Sequence, residues 1–190
     1  DSVLDAILNG LPDHVTLIYD EVYYQFATRF NLPDAQKHVR DGRNIVIIHS
    51  FSKAYGLAGM RIGYGIAPSD LVKKIEIKKR SFHINAGSMS AAIAALKDED
   101  HLKKTVDNNT TEVPKITAAI HKMGLTVSPT QANLIMFKCP KGKTAEKITA
   151  SLLSHGVMVR PAFFLPDHVR VSVGKPDENQ KFLIALAKLV

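Results

Sequence analysis

The chain has 190 residues, 45% of them apolar and 7% aromatic, a composition that supports a packed core and excludes a disordered or low-complexity segment. Lys and Arg number 25 against 18 Asp and Glu, a formal charge of +7, yet no apolar run is long enough to span a bilayer and no signal-peptide pattern opens these residues. Cys139 is the only cysteine, which excludes an intrachain disulfide and makes a reducing, cytoplasmic setting the expectation.

In chain order, residues 1–10 read as the last turns of a helix, with Asp1 or Ser2 near its start and Asn9-Gly10 and Pro12 ending it. VTLIYD, 15–20, is a buried strand that ends on Asp20. Residues 30–42 are a polar connection holding a short helix, and NIVIIHS, 44–50, is a second strand of β-branched residues. RIGYGIA, 61–67, is the third. Asp20 and the Ser50–Lys53 segment thus both fall at strand C-terminal ends, where open α/β sheets bind ligands.

Ser69-Asp70 caps a helix running through LVKKIEIKKRSF, with Leu71, Val72, Ile75 and Ile77 as its buried side. The six charged residues of KKIEIKKR, 73–80, are then a solvated face, so no nucleic-acid partner is expected. Residues 88–124 form one helical passage, kinked or broken at Pro114. A strand at 126–138, a helix at 144–156, strands at 157–161 and 168–174 and a helix at 176–190 complete a small α+β domain. The fold class is α/β, with a mostly parallel sheet and helices in residues 1–97 and the small α+β domain in residues 98–190.

The chemistry centres on HSFSKAYGLAGMRIGYGIA, where Lys53 follows an apolar strand among Ser50, Ser52, three glycines (Gly56, Gly59 and Gly63) and, eight positions on, Arg61. An amine nucleophile beside hydroxyls and a planar guanidinium suits a phosphorylated aldehyde, joined through a Schiff base while the others take its phosphate. Upstream, Asp20 supplies a fixed carboxylate to keep a pyridine nitrogen protonated, and Tyr23 a phenol for the ring oxygen. Together they point to pyridoxal 5′-phosphate. Each residue has a plainer use: Lys53 in a loop, Asp20 capping a turn with Glu21 as rival carboxylate, Tyr24 in place of Tyr23, Arg61 beside a surface carboxylate. The eight histidines show no metal spacing and no metal is expected; His49 reads as a packing or supporting residue. Ser50-Phe51-Ser52-Lys53 also fits the S-x-x-K serine-nucleophile pattern, but the companion S-D-N and K-T-G strings are absent.

The pairing of YDEVY with SFSKAYGLAGMRIGY resembles the fold-type I pyridoxal-phosphate enzymes of the class I/II aminotransferase family. Within them, GVMVRPAFFLPDHVRVSVGKPDENQKFLIALAKL is most similar to histidinol-phosphate aminotransferases. The resemblance implies that Lys53 forms the internal aldimine and moves the proton, that Asp20 binds the pyridine nitrogen, that Tyr23 contacts the 3′ oxygen, and that Ser50, Ser52 and Arg61 hold the phosphate. It further implies that Arg170 grips the substrate carboxylate, that Arg160 makes a second anion contact, and that Asn133 lies near the substrate.

The partners it implies are an amino donor, histidinol phosphate first, and a 2-oxo acid acceptor, in a homodimer serving histidine biosynthesis. Threonine-phosphate decarboxylases share the same cofactor residues, and a non-catalytic binding module is the remaining alternative. The resemblance covers nearly the whole chain but only the second half of the family's length. The family's upstream phosphate loop, stacked aromatic residue and N-P-T-G-like asparagine do not appear. The expectation is therefore a C-terminal portion of a longer enzyme, inactive by itself, in which residues 1–97 end the large cofactor-binding domain.

Overall fold

The computed structural model describes residues 2–28 and 31–190, which fall into two compact units, Asp1–Lys103 and Lys104–Val190. The helix start expected at Asp1 and the first residue of the expected 30–42 connection lie outside the described residues.

The first unit runs α1 (Ser2–Gly10), β1 (Leu17–Asp20), α2 (Ala35–Arg40), β2 (Ile45–Ser50), β3 (Gly63–Ile66), α3 (Ser69–Lys78) and α4 (Ala86–Lys97). β1 and β2 pair in parallel, Leu17 against Ile45 and Asp20 against Ile48, while β3 pairs antiparallel on the other edge of β2. Alternation along β2 is strict: Ile45, Ile47 and His49 are buried, and Val46, Ile48 and Ser50 are half-buried. Ile45 and Ile47 pack with Leu4 and Leu8 of α1 and Ala35 of α2. Burying each isoleucine contributes about 1.5–3 kcal/mol, and a one-residue slip would turn both to the other face, so the register that places Asp20 is firmly set.

The helices correct several expectations. Pro68, not Ser69, is the N-cap of α3, and no side chain caps it; the helix stops at Lys78 rather than Phe82. Its apolar side is not buried: Leu71 and Val72 are half-buried, and Ile75 and Ile77 are exposed. The reason is geometric, since Val72 and Ile75 line an open groove of about 520 Å³ with Tyr64, Met89, Ile93 and Leu96 instead of closing on it.

The passage 88–124 is two helices, and the break is at Asp98 rather than Pro114. Asp98 leaves helical geometry (φ −93°, ψ 70°), and its carboxylate accepts the N–H of His101 in α5 (Glu99–Lys122), so one residue ends a helix and caps the next. α5 continues across Pro114, which lacks the N–H a helix interior uses. Buried Val113, Ile116 and Ile120 on either side hold the helix against that loss. Pro114 itself is exposed. Pro114→Ala is therefore expected to stabilise the protein by about 2 kcal/mol, the helix-interior gain less the entropy returned to the unfolded chain, read as a higher denaturant midpoint at unchanged slope.

The second unit has an antiparallel sheet in the order β4 (Leu134–Lys138), β6 (Leu165–Ser172), β5 (Arg160–Ala162), together with α6 (Ala145–Ser154) and α7 (Pro176–Ala187). Its core joins Ile116 and Ile120 to Ile135, Phe137, Leu152, Val169, Phe182 and Leu186. The strand expected over 126–138 is shorter. Only its last five residues form β4, and residues 126–128 fold back on them, Ser128 N–H donating to the Met136 carbonyl and Lys138 N–H to that of Thr126, both at 2.8 Å. β6 reaches back to Leu165, three residues before its expected start, because Ala162 pairs with Leu165 across the two-residue turn Phe163-Phe164.

Candidate active site

Two neighbouring parallel strands deliver the first-unit candidates. Asp20 ends β1 opposite Ile48, and Ser50 ends β2 two residues further on. Asp20 is exposed, and its Oδ1 accepts the Val22 N–H at 3.0 Å. It does cap the turn, which orients the carboxylate and leaves the second oxygen without a protein donor among the described residues. The same turn leads to half-buried Tyr23, the N-cap of the 3₁₀ turn Tyr24–Phe26.

The segment after β2 is folded over by its own backbone. Ser50 Oγ accepts the Ser52 N–H (3.0 Å), Gly56 N–H donates to the Lys53 carbonyl (3.0 Å), and Leu57 N–H donates to the Phe51 carbonyl (2.9 Å). Gly56 adopts φ +69°, which a side chain would resist. Phe51 and Ala54 are buried and anchor the loop, which leaves Ser52 and Lys53 only half-buried on its open side. Lys53 Nζ lies 4.9 Å from the centroid of the Tyr23 ring, so these two candidates are brought together.

Arg61 holds a left-handed backbone (φ 52°, ψ 45°) after the 3₁₀ turn Ala58–Met60, and its Nη1 donates to the Ala58 carbonyl at 2.8 Å. That conformation costs a non-glycine residue roughly 1–2 kcal/mol, which Phe82 and Phe164 also bear. Among the described residues neither Lys53 nor Arg61 is in an ion pair. Two half-buried or exposed cations outside any ion pair, carried on the same β2-to-β3 connection as Ser52 and following Ser50 at the end of β2, are residue types suited to an anion. β3 then passes so close to β2 that a Cβ on Gly63 would stand 2.7 Å from the His49 carbonyl oxygen. Gly63→Ala is expected to push these strands apart at Ser50 and to destabilise by about 1–3 kcal/mol, measurable as a lowered Tm.

In the second unit Arg160 and Arg170 sit directly opposite each other across β5 and β6, on the face that Met136 of β4 shares. Arg170 is half-buried with its guanidinium 4.9 Å from the Phe163 ring centroid; Arg160 is exposed. Like charges directly opposed on a sheet destabilise it unless an anion lies between them. Asn133 is not brought to this pair: its carbonyl accepts the Val173 N–H at the end of the ladder, in the parity of Ile135 and Phe137, the core face.

Sequence reasoning read His49 as a packing or supporting residue but missed its partners. Its Nε2 is 2.8 Å from Glu21 Oε2 and its Nδ1 2.8 Å from Tyr64 Oη, with the Tyr24 ring stacked on the imidazole at 4.4 Å. Burial, followed by the neighbouring Tyr24, pushes the Tyr64 phenol up to about 12. The signal was present: the period-2 pattern that buries Ile45 and Ile47 also buries His49, and a buried imidazole needs partners.

The family model described as Aminotransferase class I and II matches residues 4–186. Histidinol-phosphate aminotransferase of Akkermansia muciniphila is 38% identical over 189 residues, 98% of this chain and 51% of that protein. Among solved structures, histidinol-phosphate aminotransferase from Sinorhizobium meliloti in complex with pyridoxal-5′-phosphate superposes with a TM-score of 0.86 at 29% identity, covering 99% of this chain and 52% of that one. L-threonine-O-3-phosphate decarboxylase from Porphyromonas gingivalis gives 0.85 at 26% identity, covering 99% and 58%. The chain spans about half the length of the curated relatives it matches.

Proposed function

The chain belongs to the class I and II aminotransferase family and has a mixed α/β fold matching its structures, and from that premise we propose that the full protein is a pyridoxal 5′-phosphate-dependent aminotransferase moving the amino group of histidinol phosphate to a 2-oxo acid. One observation carries the reading: the Lys53 amine, in no ion pair among the described residues, is held over Tyr23 by an anchored turn beside the strand that ends on Asp20. The donor set suits the cofactor, with a primary amine for its aldehyde, a carboxylate for its ring nitrogen, and a guanidinium with two hydroxyls for its phosphate.

When bound, pyridoxal phosphate supplies a carbonyl carbon for amines and a protonated ring that draws electron density from the substrate Cα. Lys53 would be the residue that holds the aldehyde end of the cofactor, and its amine, once free, would take the proton from the substrate Cα. Asp20, one oxygen tied to Val22 N–H, offers the other to the ring nitrogen, and Tyr23 donates its hydroxyl to the ring oxygen. Ser50, Ser52 and Arg61 hold the phosphate. Arg170, with Arg160 opposite, takes the carboxylate of the 2-oxo acid and the phosphate of the donor, both planar-fork partners of a guanidinium. Residues 1–97 thus serve the cofactor and 98–190 the substrate anions, in a cytoplasmic homodimer that works in histidine biosynthesis.

The near-equal fit to a threonine-phosphate decarboxylase favours that chemistry as the second reading. A donor screen on the full-length protein separates them. Consumption of histidinol phosphate with a 2-oxo acid, without CO₂ release, is the expected result. CO₂ released from O-phosphothreonine, with histidinol phosphate left untouched, would transfer the assignment to the decarboxylase.

A further inference from the structure

Glu21, His49 and Tyr64 come from three strand ends: Glu21 follows the last residue of β1, His49 is next to last in β2, and Tyr64 is second in β3. None touches the chemistry assigned above. A carboxylate only accepts hydrogen bonds, so His49 Nε2 carries a proton and donates it to Glu21, while Nδ1 is hydrogen-bonded to the Tyr64 hydroxyl, which carries a proton of its own. The raised Tyr64 phenol keeps that proton at every physiological pH. Both ring nitrogens of a side chain only 5% exposed are thereby satisfied, and the bonds link Tyr64 through His49 to Glu21.

The same face of β2 is filled at Ile45 and Ile47 by aliphatic side chains, which need no partners. A polar triad at the next position costs desolvation that a third isoleucine would avoid. What it adds is direction: three strands are tied at fixed distances, and Glu21 N–H is itself bonded to the Ile48 carbonyl at 3.0 Å. Glu21 adjoins Asp20 and His49 adjoins Ser50, with alternation placing the triad on the opposite face of the sheet from both.

We propose that Glu21, His49 and Tyr64 are positioning residues, whose chain of hydrogen bonds fixes where β1 and β2 present Asp20 and the Ser50–Lys53 turn. The inference rests on the cofactor role assigned to those residues. Displacement of a binding group by even about 1 Å can cost on the order of a hundredfold in function, so a rigid tie one residue away acts where small shifts matter most.

The test uses full-length protein carrying Tyr64→Phe, which deletes one hydroxyl, His49→Leu, which deletes the chain, or His49→Gln, which keeps a donor and an acceptor. In cofactor-free protein, amide hydrogen exchange at Glu21, Phe51 and Ser52 is expected to quicken about tenfold in Tyr64→Phe. The Leu17 amide, bonded at the far end of the same strand pair, should keep its protection. The dissociation constant for pyridoxal phosphate, titrated by absorbance, should rise about tenfold in step, and His49→Gln should stay near wild type in both readouts. Should His49→Leu fail to fold, Tyr64→Phe carries the comparison. Unchanged exchange and affinity in Tyr64→Phe, or exchange that rises equally at Leu17, overturns the positioning role while wild-type protein still binds the cofactor. Wild-type protein that takes up no pyridoxal phosphate overturns the functional reading and this inference with it.

Discussion

Lys53→Ala in the full-length protein is expected to lower kcat/KM for amino transfer by about 10⁴-fold while leaving Tm within the range of an ordinary surface substitution. The size follows from the role proposed for the side chain, as both the amine that holds the cofactor and the base at the substrate Cα, since loss of a positioned base alone costs about 10²–10⁴-fold. The intact fold follows from the packing. The turn is anchored by Phe51 and Ala54 and by the bonds Gly56 N–H to Lys53 O and Leu57 N–H to Phe51 O, none of which needs the lysine side chain. Away from such contacts a substitution changes stability by only about 0.5 kcal/mol. Steady-state kinetics with a thermal melt on the same sample checks both halves, and a variant with near wild-type turnover would remove Lys53 from the chemistry.

Arg61 carries the second large effect. Replacement by Ala removes charge-assisted bonds worth about 1.5–3 kcal/mol, so the dissociation constant for pyridoxal phosphate should rise roughly 10- to 150-fold. The backbone sharpens the test, since position 61 is left-handed at φ 52°. Glycine meets that conformation without steric penalty. Arg61→Gly should therefore raise Tm while weakening the cofactor as much as Arg61→Ala does, two effects of opposite sign from one substitution. A gain in stability with unchanged cofactor affinity would leave the strained arginine without a phosphate to explain it.

Much of this was legible from residue type. The run of β-branched residues at 44–50 predicted β2 and its end at Ser50, and the Asp20 and Lys53 motifs fell at the two strand ends where the pairing of β1 and β2 puts them side by side. What was not legible depends on contacts that a local pattern does not contain. Pro114 reads as a break, but buried Val113, Ile116 and Ile120 keep α5 whole, while unremarkable Asp98 ends α4 because its carboxylate caps the next helix. Ile75 and Ile77 read as a buried side, yet among the described residues nothing closes over them. Residues 126–133 carry strand-like composition but lie partly in a return that bonds to β4. The cross-strand pairing of Arg160 with Arg170 was equally out of reach, because it requires the register of β5 on β6 rather than any spacing along the chain.

The most direct test is covalent. Full-length protein loaded with pyridoxal phosphate, reduced with borohydride and digested, should yield one peptide bearing the mass of a phosphopyridoxyl group, with fragmentation placing it on Lys53. A tag on another lysine, or none in a protein that has bound the cofactor, would contradict the account at its centre.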